Sequence, residues 1–235
     1  GSEGTLGIIT KIVFKLIPLP KKDITMLVPF HSSKKACEAV SAVFRAGIIP
    51  SALEFIERDA IDWTLKYTDI DMQIADNVKA HLLVEVDGND MDLLYKNCEE
   101  IAVVMEQFEC GEILLADSNI QKEKLWQLRR SVGEAVKANS IYKEEDTVVP
   151  RAELARLLKG VKKIGDKYGF KSVCYGHAGD GNLHVNIIKG EMSDEDWDVN
   201  LTIGIREIFT LTKKLGGTIS GEHGIGLVQK DYMDI

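Results

Sequence analysis

The order of apolar and polar residues along the chain predicts an alternation of short strands and amphipathic helices. A period of two residues is typical of a half-buried strand, and apolar residues spaced by three and four positions are typical of a helix. The predicted strands cover 8–17, 24–30, 51–56, 81–87, 112–116, 147–150 and 171–176. The predicted helices run from Ser32 or Ser33 to Gly47, over 59–67, from Asn89 or Asp90 to about 108, and over 119–139, 151–168 and 193–214.

This order of elements favours an α+β fold. Two successive strand–helix–strand units, with connections about as long as one helix, indicate a ferredoxin-like layer. We therefore predict a largely antiparallel sheet with helices packed on one face.

A segment with the sequence YGHAGDGNLHVN predicts a β-hairpin. Its Asp180-Gly181 dipeptide suits a two-residue type I′ turn, which needs positive φ at both central positions. Pairing outward from that turn sets His177 directly opposite His184, with their Cβ atoms roughly 5 Å apart. Period-two alternation adds Tyr175 and Asn186 to the same face.

This pair of histidines is a candidate metal site. Two neutral imidazoles can chelate one divalent ion, and a carboxylate would complete a three-ligand site with open positions for water or substrate. Glu222, in the glycine-rich segment SGEHGIG, is the candidate third ligand for Zn, Mn or Fe. The alternative is a cross-strand pair, His177 and His184, that holds no metal, with Glu222 in an ordinary turn.

Composition narrows the class of protein. Hydrophobic residues make up 45% of the 235 residues, which is enough for a sizeable core. The net charge of −8 argues against a nucleic-acid partner, which needs a clustered basic surface. Four cysteines without CxxC spacing indicate free thiols in a reducing compartment. We therefore expect a cytoplasmic protein, either free or peripheral at the inner face of the membrane.

Two long motifs in a fixed order carry a family resemblance. The segments GHAGDGNLHVN and SGEHGIG resemble the FAD-linked oxidase C-terminal domain of the D-2-hydroxyacid dehydrogenases, the group with the glycolate oxidase flavin subunit and D-lactate dehydrogenases. The opening GSEGTLGIIT resembles the last segment of the FAD-binding domain that precedes this domain in the family. The resemblance implies that 1–10 end a FAD-binding domain. It also implies that 11–235 form the substrate or cap domain, cut short at its C-terminus.

The same resemblance implies FAD, held mostly by the preceding domain, and a small 2-hydroxy acid as substrate. The backbone amides of Gly1, Gly4 and Gly7 would then suit contact with the flavin, and an ordinary strand entry is the alternative. A reduced flavin needs an electron acceptor, here an electron-transfer flavoprotein, an iron–sulfur subunit or quinone. Surface bared by the missing domain would favour a homodimer. We expect the chain alone to be folded, colourless and inactive.

Two further substrate contacts follow from the resemblance. The segment LWQLRR matches a family motif of the form LWxLR, whose arginine holds the substrate carboxylate. This points to Arg129, because a planar guanidinium matches a carboxylate with two parallel hydrogen bonds. The alternatives are a register in which Arg130 takes that role, or two surface ion pairs. Lys143 resembles a second carboxylate contact of the family, and a solvated lysine is the alternative.

These parts suit the oxidation of a 2-hydroxy acid, which removes a proton from the hydroxyl and a hydride from the same carbon. We assign His223 as the base, a metal as Lewis acid, Arg129 as the carboxylate anchor and FAD as the hydride acceptor. Asn186 would hydrogen-bond the substrate or orient a ligand. In the alternative assignment His223 is a ligand and Glu222 the base. The rival functions are a metal-dependent hydrolase and a non-catalytic ferredoxin-like binding module.

Overall fold

A computed structural model describes residues 2 and 4–235, so Gly1, proposed above as a flavin contact, lies outside the described residues. The strands are β1 (Lys22–Phe30), β2 (Ala52–Glu57), β3 (Ala80–Gly88), β4 (Leu114–Ala116), β5 (Tyr142–Val148), β6 (Lys171–Gly176) and β7 (Asn182–Ile188). The α-helices are α1 (Ser33–Arg45), α2 (Arg58–Tyr67), α3 (Met91–Glu106), α4 (Asn119–Arg130), α5 (Val132–Asn139), α6 (Leu154–Tyr168) and α7 (Asp194–Lys214).

The described strands form one seven-stranded sheet in the order β4-β1-β3-β2-β6-β7-β5, and each pair of neighbouring strands runs antiparallel. Its first half, β4-β1-β3-β2, has the strand order of a ferredoxin-like unit. A short β2–β6 contact joins it to the second half through the pairs Phe55↔Gly176 and Ile56↔Tyr175. The predicted α+β class with an antiparallel sheet is therefore confirmed.

Helices cover both faces of this sheet. Helices α1, α3, α6 and α7 build the larger core, into which Phe55 of β2 points. The next residue, Ile56, points the other way, since successive strand residues face opposite sides, and it packs with α2, α4 and α5. The prediction had helices on one face only. Periodicity shows that a helix has an apolar side but does not show which face of the sheet that side covers.

The predicted strand over 8–17 is wrong. This segment has no regular structure, and its apolar side chains are exposed, with Ile8 at 84% and Phe14 at 76% relative accessibility. A strand forms only beside a hydrogen-bonded neighbour, and within the described residues 8–17 pair with no strand. Alternation of residues alone therefore misled the prediction.

Two predicted boundaries also change, and one of them affects the site. The single helix predicted over 119–139 is two helices, because Ser131 ends α4 and opens α5. The strand predicted over 147–150 is β5, which begins five residues earlier at Tyr142. Its acidic stretch, Glu144 to Asp146, has low strand propensity. Within the part of the chain that the structure describes, no helix is long and apolar enough to cross a membrane.

Candidate metal and active site

The hairpin between β6 and β7 differs from its prediction. Tyr175, not His177, pairs with His184. The connection contains a 3₁₀ turn over Ala178–Asp180, and the Asn182 N–H donates to the carbonyl of His177 at 3.2 Å. A type I′ turn would need positive φ at Asp180 as well, but Gly181 alone of the two takes it, at 79°. The extra turn removes His177 from the strand.

The two histidines nevertheless meet. The rings of His177 and His184 lie edge to face with their centroids 5.5 Å apart. His177 stands where β6 ends, and its backbone turn brings the ring back over the adjacent strand β7. Tyr175 and Asn186 share the sheet face of His184, as predicted, because Tyr175 pairs with His184 and Val173 with Asn186.

The loop after α7 completes the cluster with Glu222 and His223. Glu222 Oε1 lies 3.6 Å from His177 Nε2 and 3.4 Å from His184 Nε2. His223 stacks on His184 at 5.5 Å between centroids, and its Nε2 is 3.9 Å from Glu222 Oε1. Glu222 and His223 are each about half exposed, whereas His184 is buried. The structure thus brings together all four residues predicted as ligands or base.

Both His177 and His184 have a carboxylate beside their Nδ1 atom that the sequence analysis missed. Glu54 Oε1 is 2.8 Å from His177 Nδ1, a hydrogen-bond distance. Glu144 Oε1 is 3.3 Å from His184 Nδ1, and this nitrogen has no aligned hydrogen-bond partner in the part of the chain that the structure describes. A carboxylate hydrogen-bonded to the imidazole, as Glu54 is to His177, commonly fixes the ring orientation of a metal-binding histidine.

A third missed carboxylate, Asp146, shapes the loop. Its Oδ2 accepts the backbone N–H groups of Gly221, Glu222 and His223 at 2.9, 2.7 and 2.9 Å. Its Oδ1 accepts the Asn182 amide at 2.6 Å. Asp146 is fully buried, so these hydrogen bonds hold the loop onto β5.

The two neighbouring arginines differ. Arg129 is buried, and its Nε and Nη2 both lie 2.8 Å from Glu54 Oε2. Its guanidinium also lies 4.9 Å from the centroid of the Tyr175 ring. Arg130 is exposed and pairs with Glu123. Of the two, Arg129 is the one that faces the cluster.

The structure does not bring the other predicted contacts to the same place. Lys143 pairs with Ile187, on the sheet face opposite to the histidines, and its Nζ is 3.5 Å from Glu145 Oε1. Its neighbour Glu144 faces the cluster instead. Asn186 is fully buried, and its amide donates to the Val173 carbonyl at 3.3 Å.

The N-terminal glycines stand apart from the cluster. Gly4 and Gly7 are exposed, and a Cβ added at either would meet no atom within 4 Å. The described residues thus show no surface beside them, and the predicted contact with a flavin stays a prediction.

The surroundings of His177 and His184 shift the pKa values of the two rings in opposite directions. Burial, followed by the charge of Arg129, lowers the pKa of His184 to about 4, so this ring is neutral at neutral pH. The hydrogen bond to Glu54 raises the pKa of His177. Burial alone would raise the pKa of Glu54, but the hydrogen bond to His177 and the charge of Arg129 lower it overall. Burial raises the pKa of Glu144.

The donor atoms fit a divalent ion. Ligands about 2.0–2.1 Å from a tetrahedral Zn²⁺ lie roughly 3.3 Å from one another, close to the 3.4 and 3.6 Å separations from Glu222. Four carboxylates, those of Glu54, Glu144, Asp146 and Glu222, lie within 4 Å of a histidine nitrogen of the cluster, and the guanidinium of Arg129 pairs with one of them. This excess of negative charge favours a cation. A second grouping, Glu144, His184 and His223, is also within reach of one ion and shares His184 with the first.

Solved structures of several enzymes share this fold. The chain resembles p-cresol methylhydroxylase with substrate bound at a TM-score of 0.61 and 14% identity, over 88% of this chain and 46% of that one. It resembles alkyldihydroxyacetonephosphate synthase at a TM-score of 0.63 and 16% identity, over 93% of this chain and 44% of that one. At such identities the likeness establishes the fold alone.

The sequence establishes the family. The chain belongs to the FAD linked oxidases, C-terminal domain family, whose model matches residues 19–234. The predicted family is therefore confirmed.

Several curated relatives are named for a 2-hydroxy acid. They include D-lactate dehydrogenase of Anaerostipes hadrus, 32% identical over 99% of this chain and 50% of the relative. Glycolate oxidase subunit GlcD of Bacillus subtilis is 33% identical over 100% of this chain and 49% of the relative. D-2-hydroxyglutarate dehydrogenase of Xanthomonas citri is 30% identical over 99% of this chain and 49% of the relative. The chain thus spans about half the length of the curated relatives it matches.

Proposed function

We propose that this chain forms the substrate-facing half of an FAD-dependent dehydrogenase that oxidises a small D-2-hydroxy acid, of the glycolate or D-lactate type, to the 2-oxo acid. Residues 1–10 would end the FAD-binding domain, and 11–235 would form the C-terminal domain. The observation that carries the proposal is the cluster of His177, His184 and Glu222 with His223 beside it. Family membership supports the flavin, and the names of the relatives support the substrate class.

Two groups from outside the chain complete the proposal. His177, His184 and Glu222 would hold a divalent ion, for which Zn, Mn and Fe are the candidates, while FAD would lie mostly against the other half of the protein. When bound, the ion acidifies the substrate hydroxyl and the flavin accepts the hydride. The electrons would pass on to an electron-transfer flavoprotein, an iron–sulfur subunit or quinone. A cytoplasmic location and a homodimer remain predictions.

The chain's own residues supply the remaining steps. Nε and Nη2 of Arg129 face Glu54, so Nη1 is the group that we assign to the substrate carboxylate. His223, half exposed at the edge of the cluster, would accept the hydroxyl proton as a neutral imidazole. We keep Glu222 as the ligand because its Oε1 faces both Nε2 atoms. The grouping that includes Glu144 supports the reverse assignment, with His223 as ligand.

Asn186 and Lys143 differ in how well they suit the roles predicted for them. Asn186 is fully buried and lies two residues from His184 along β7. This burial supports an orienting role rather than direct contact with the substrate. Lys143 has no place in this proposal, since it lies on the opposite face of the sheet.

The function is tested by Arg129→Lys in the whole flavoprotein, assayed with glycolate, D-lactate and larger D-2-hydroxy acids and an artificial electron acceptor. We expect turnover of at least one of these acids by the unaltered protein. In the variant kcat/KM should fall roughly 10- to 100-fold, because an ammonium replaces a planar guanidinium and loses hydrogen bonds to a charged group.

Arg130→Lys is the matched control, because it alters the neighbouring exposed arginine. Its kinetics should match those of the unaltered protein. Absence of turnover with every 2-hydroxy acid would contradict the proposed reaction. Damage from Arg130→Lys with none from Arg129→Lys would contradict the assigned anchor.

A further inference from the structure

One carboxylate connects the two halves of the sheet at the site. Glu54 lies on β2 in the first half, and its side chain is only 7% exposed. Its Oε1 is 2.8 Å from Nδ1 of His177, which follows β6 in the second half. Its Oε2 is 2.8 Å from both Nε and Nη2 of Arg129 on α4. Each oxygen is thus committed to a different functional residue.

The chemistry of these partners determines where protons lie. A guanidinium only donates hydrogen bonds, and an ionised carboxylate only accepts them. Arg129 therefore keeps Oε2 as an acceptor, and the remaining oxygen faces His177. In a neutral imidazole one nitrogen carries the proton and the other a lone pair. The contact with Oε1 requires the proton of His177 on Nδ1, which leaves the lone pair on Nε2, the atom that faces Glu222 at 3.6 Å.

We infer that Glu54 is a positioning residue that selects the Nδ1–H tautomer of His177 and thereby presents its Nε2 lone pair to the cation. Among the described residues no aligned acceptor faces Nδ1 of His184, so His184 lacks the corresponding hydrogen bond. Arg129 completes the device by holding the carboxylate so that it cannot rotate away. The part of this inference that concerns a cation rests on the proposed function. The part that concerns the tautomer does not.

The test is Glu54→Gln in the 235-residue chain, which contains every residue of the device. An amide has one acceptor and one donor end. Because the acceptor end must face the two donors of Arg129, the NH₂ end faces His177 Nδ1. His177 must then carry its proton on Nε2, where it blocks coordination. We expect the affinity for Co²⁺ to fall roughly 10- to 100-fold, the usual cost of losing such a partner.

Two readouts separate this role from a merely structural one. Competition titration with Co²⁺ gives the affinity, and ¹⁵N NMR of the imidazole, at a pH where His177 is neutral, gives the tautomer. Glu57→Gln is the matched control. Glu57 is a buried carboxylate on the same strand. It accepts hydrogen bonds from Lys162 Nζ and the Cys174 N–H and takes no part in the histidine cluster. This control should change neither readout.

The outcomes are distinct. If the unaltered chain binds no Co²⁺ yet shows the Nδ1–H tautomer that shifts in Glu54→Gln, the proposed metal function fails and the role of Glu54 stands. A proton on Nε2 of His177 in the unaltered chain would overturn the inference, even if the variant did not fold. Unchanged affinity and tautomer in a folded Glu54→Gln variant would overturn it equally.

Discussion

Replacing His184 with alanine is expected to abolish specific binding of a divalent cation by this chain. His184 Nε2 lies 3.4 Å from Glu222 Oε1, and His184 belongs to both groupings that could hold one ion. Its loss therefore leaves neither grouping with three ligands. The affinity should fall by more than the roughly 100-fold that loss of an outer hydrogen-bond partner can cost. Titration with Zn²⁺ against a competing chelator measures this.

His31→Ala is the control for this prediction, because His31 is exposed and belongs to neither grouping. Its affinity should equal that of the unaltered chain. Thermal unfolding of both variants separates a lost ligand from a lost fold, since His184 is buried. Tight 1:1 binding by folded His184→Ala protein would contradict the assigned ligands.

Replacing Asp146 with alanine is expected to destabilise the chain by about 3 kcal/mol and to release the loop that carries Glu222 and His223. The substitution removes the acceptor of three backbone N–H groups. A hydrogen bond to a charged group contributes about 1.5–3 kcal/mol in net terms, and because the released loop lets water reach the freed N–H groups, the expected loss is that of one or two such bonds rather than of all three. Urea unfolding at neutral pH measures the loss. Cation affinity should fall in parallel, because Glu222 is no longer held.

The pH dependence of this effect has a definite sign. Burial would raise the pKa of Asp146, but the backbone N–H groups of His223 and Glu222 and the Asn182 amide lower it overall. A lowered pKa stabilises the fold above the ordinary carboxyl pKa, and that stability is lost as pH falls through the folded value. The difference between the unaltered chain and Asp146→Ala should therefore shrink in acid.

Asp234→Ala is the matched control for Asp146→Ala. Asp234 is an exposed carboxylate paired with Arg206, so its removal should change stability little at any pH. A loss of stability at neutral pH no larger than that of this control would contradict the role given to Asp146.

The sequence was sufficient to predict the histidine cluster, although the predicted geometry was wrong. His177 and His184 meet because the chain reverses between them, and any tight reversal brings them close. The register depends on the φ of Asp180, which a dipeptide rule does not determine. Glu222 and His223 were correctly grouped with them, but the sequence contained no signal for their distance across the loop.

Glu144 and Asp146 were missed because the predicted strand began too late in the sequence. Once β5 begins at Tyr142 rather than at residue 147, alternation alone places Glu144 and Asp146 on the histidine face and Lys143 on the other. Acidic residues have a low propensity for strands, so the sequence did not indicate a strand over Glu144 to Asp146. Burial and hydrogen bonds stabilise β5 there. Glu54 did carry a signal, since it is the single acid within the otherwise apolar strand predicted over 51–56, and such a residue needs a buried partner.

A crystal structure of the chain grown with Zn²⁺ would show directly whether His177, His184 and Glu222 hold a divalent ion. Data collected on both sides of the zinc absorption edge locate the ion independently of the protein atoms. We expect one anomalous peak about 2.0–2.2 Å from His177 Nε2, His184 Nε2 and a Glu222 carboxylate oxygen. No peak at that position, or a peak ligated instead by Glu144 and His223, would contradict this expectation.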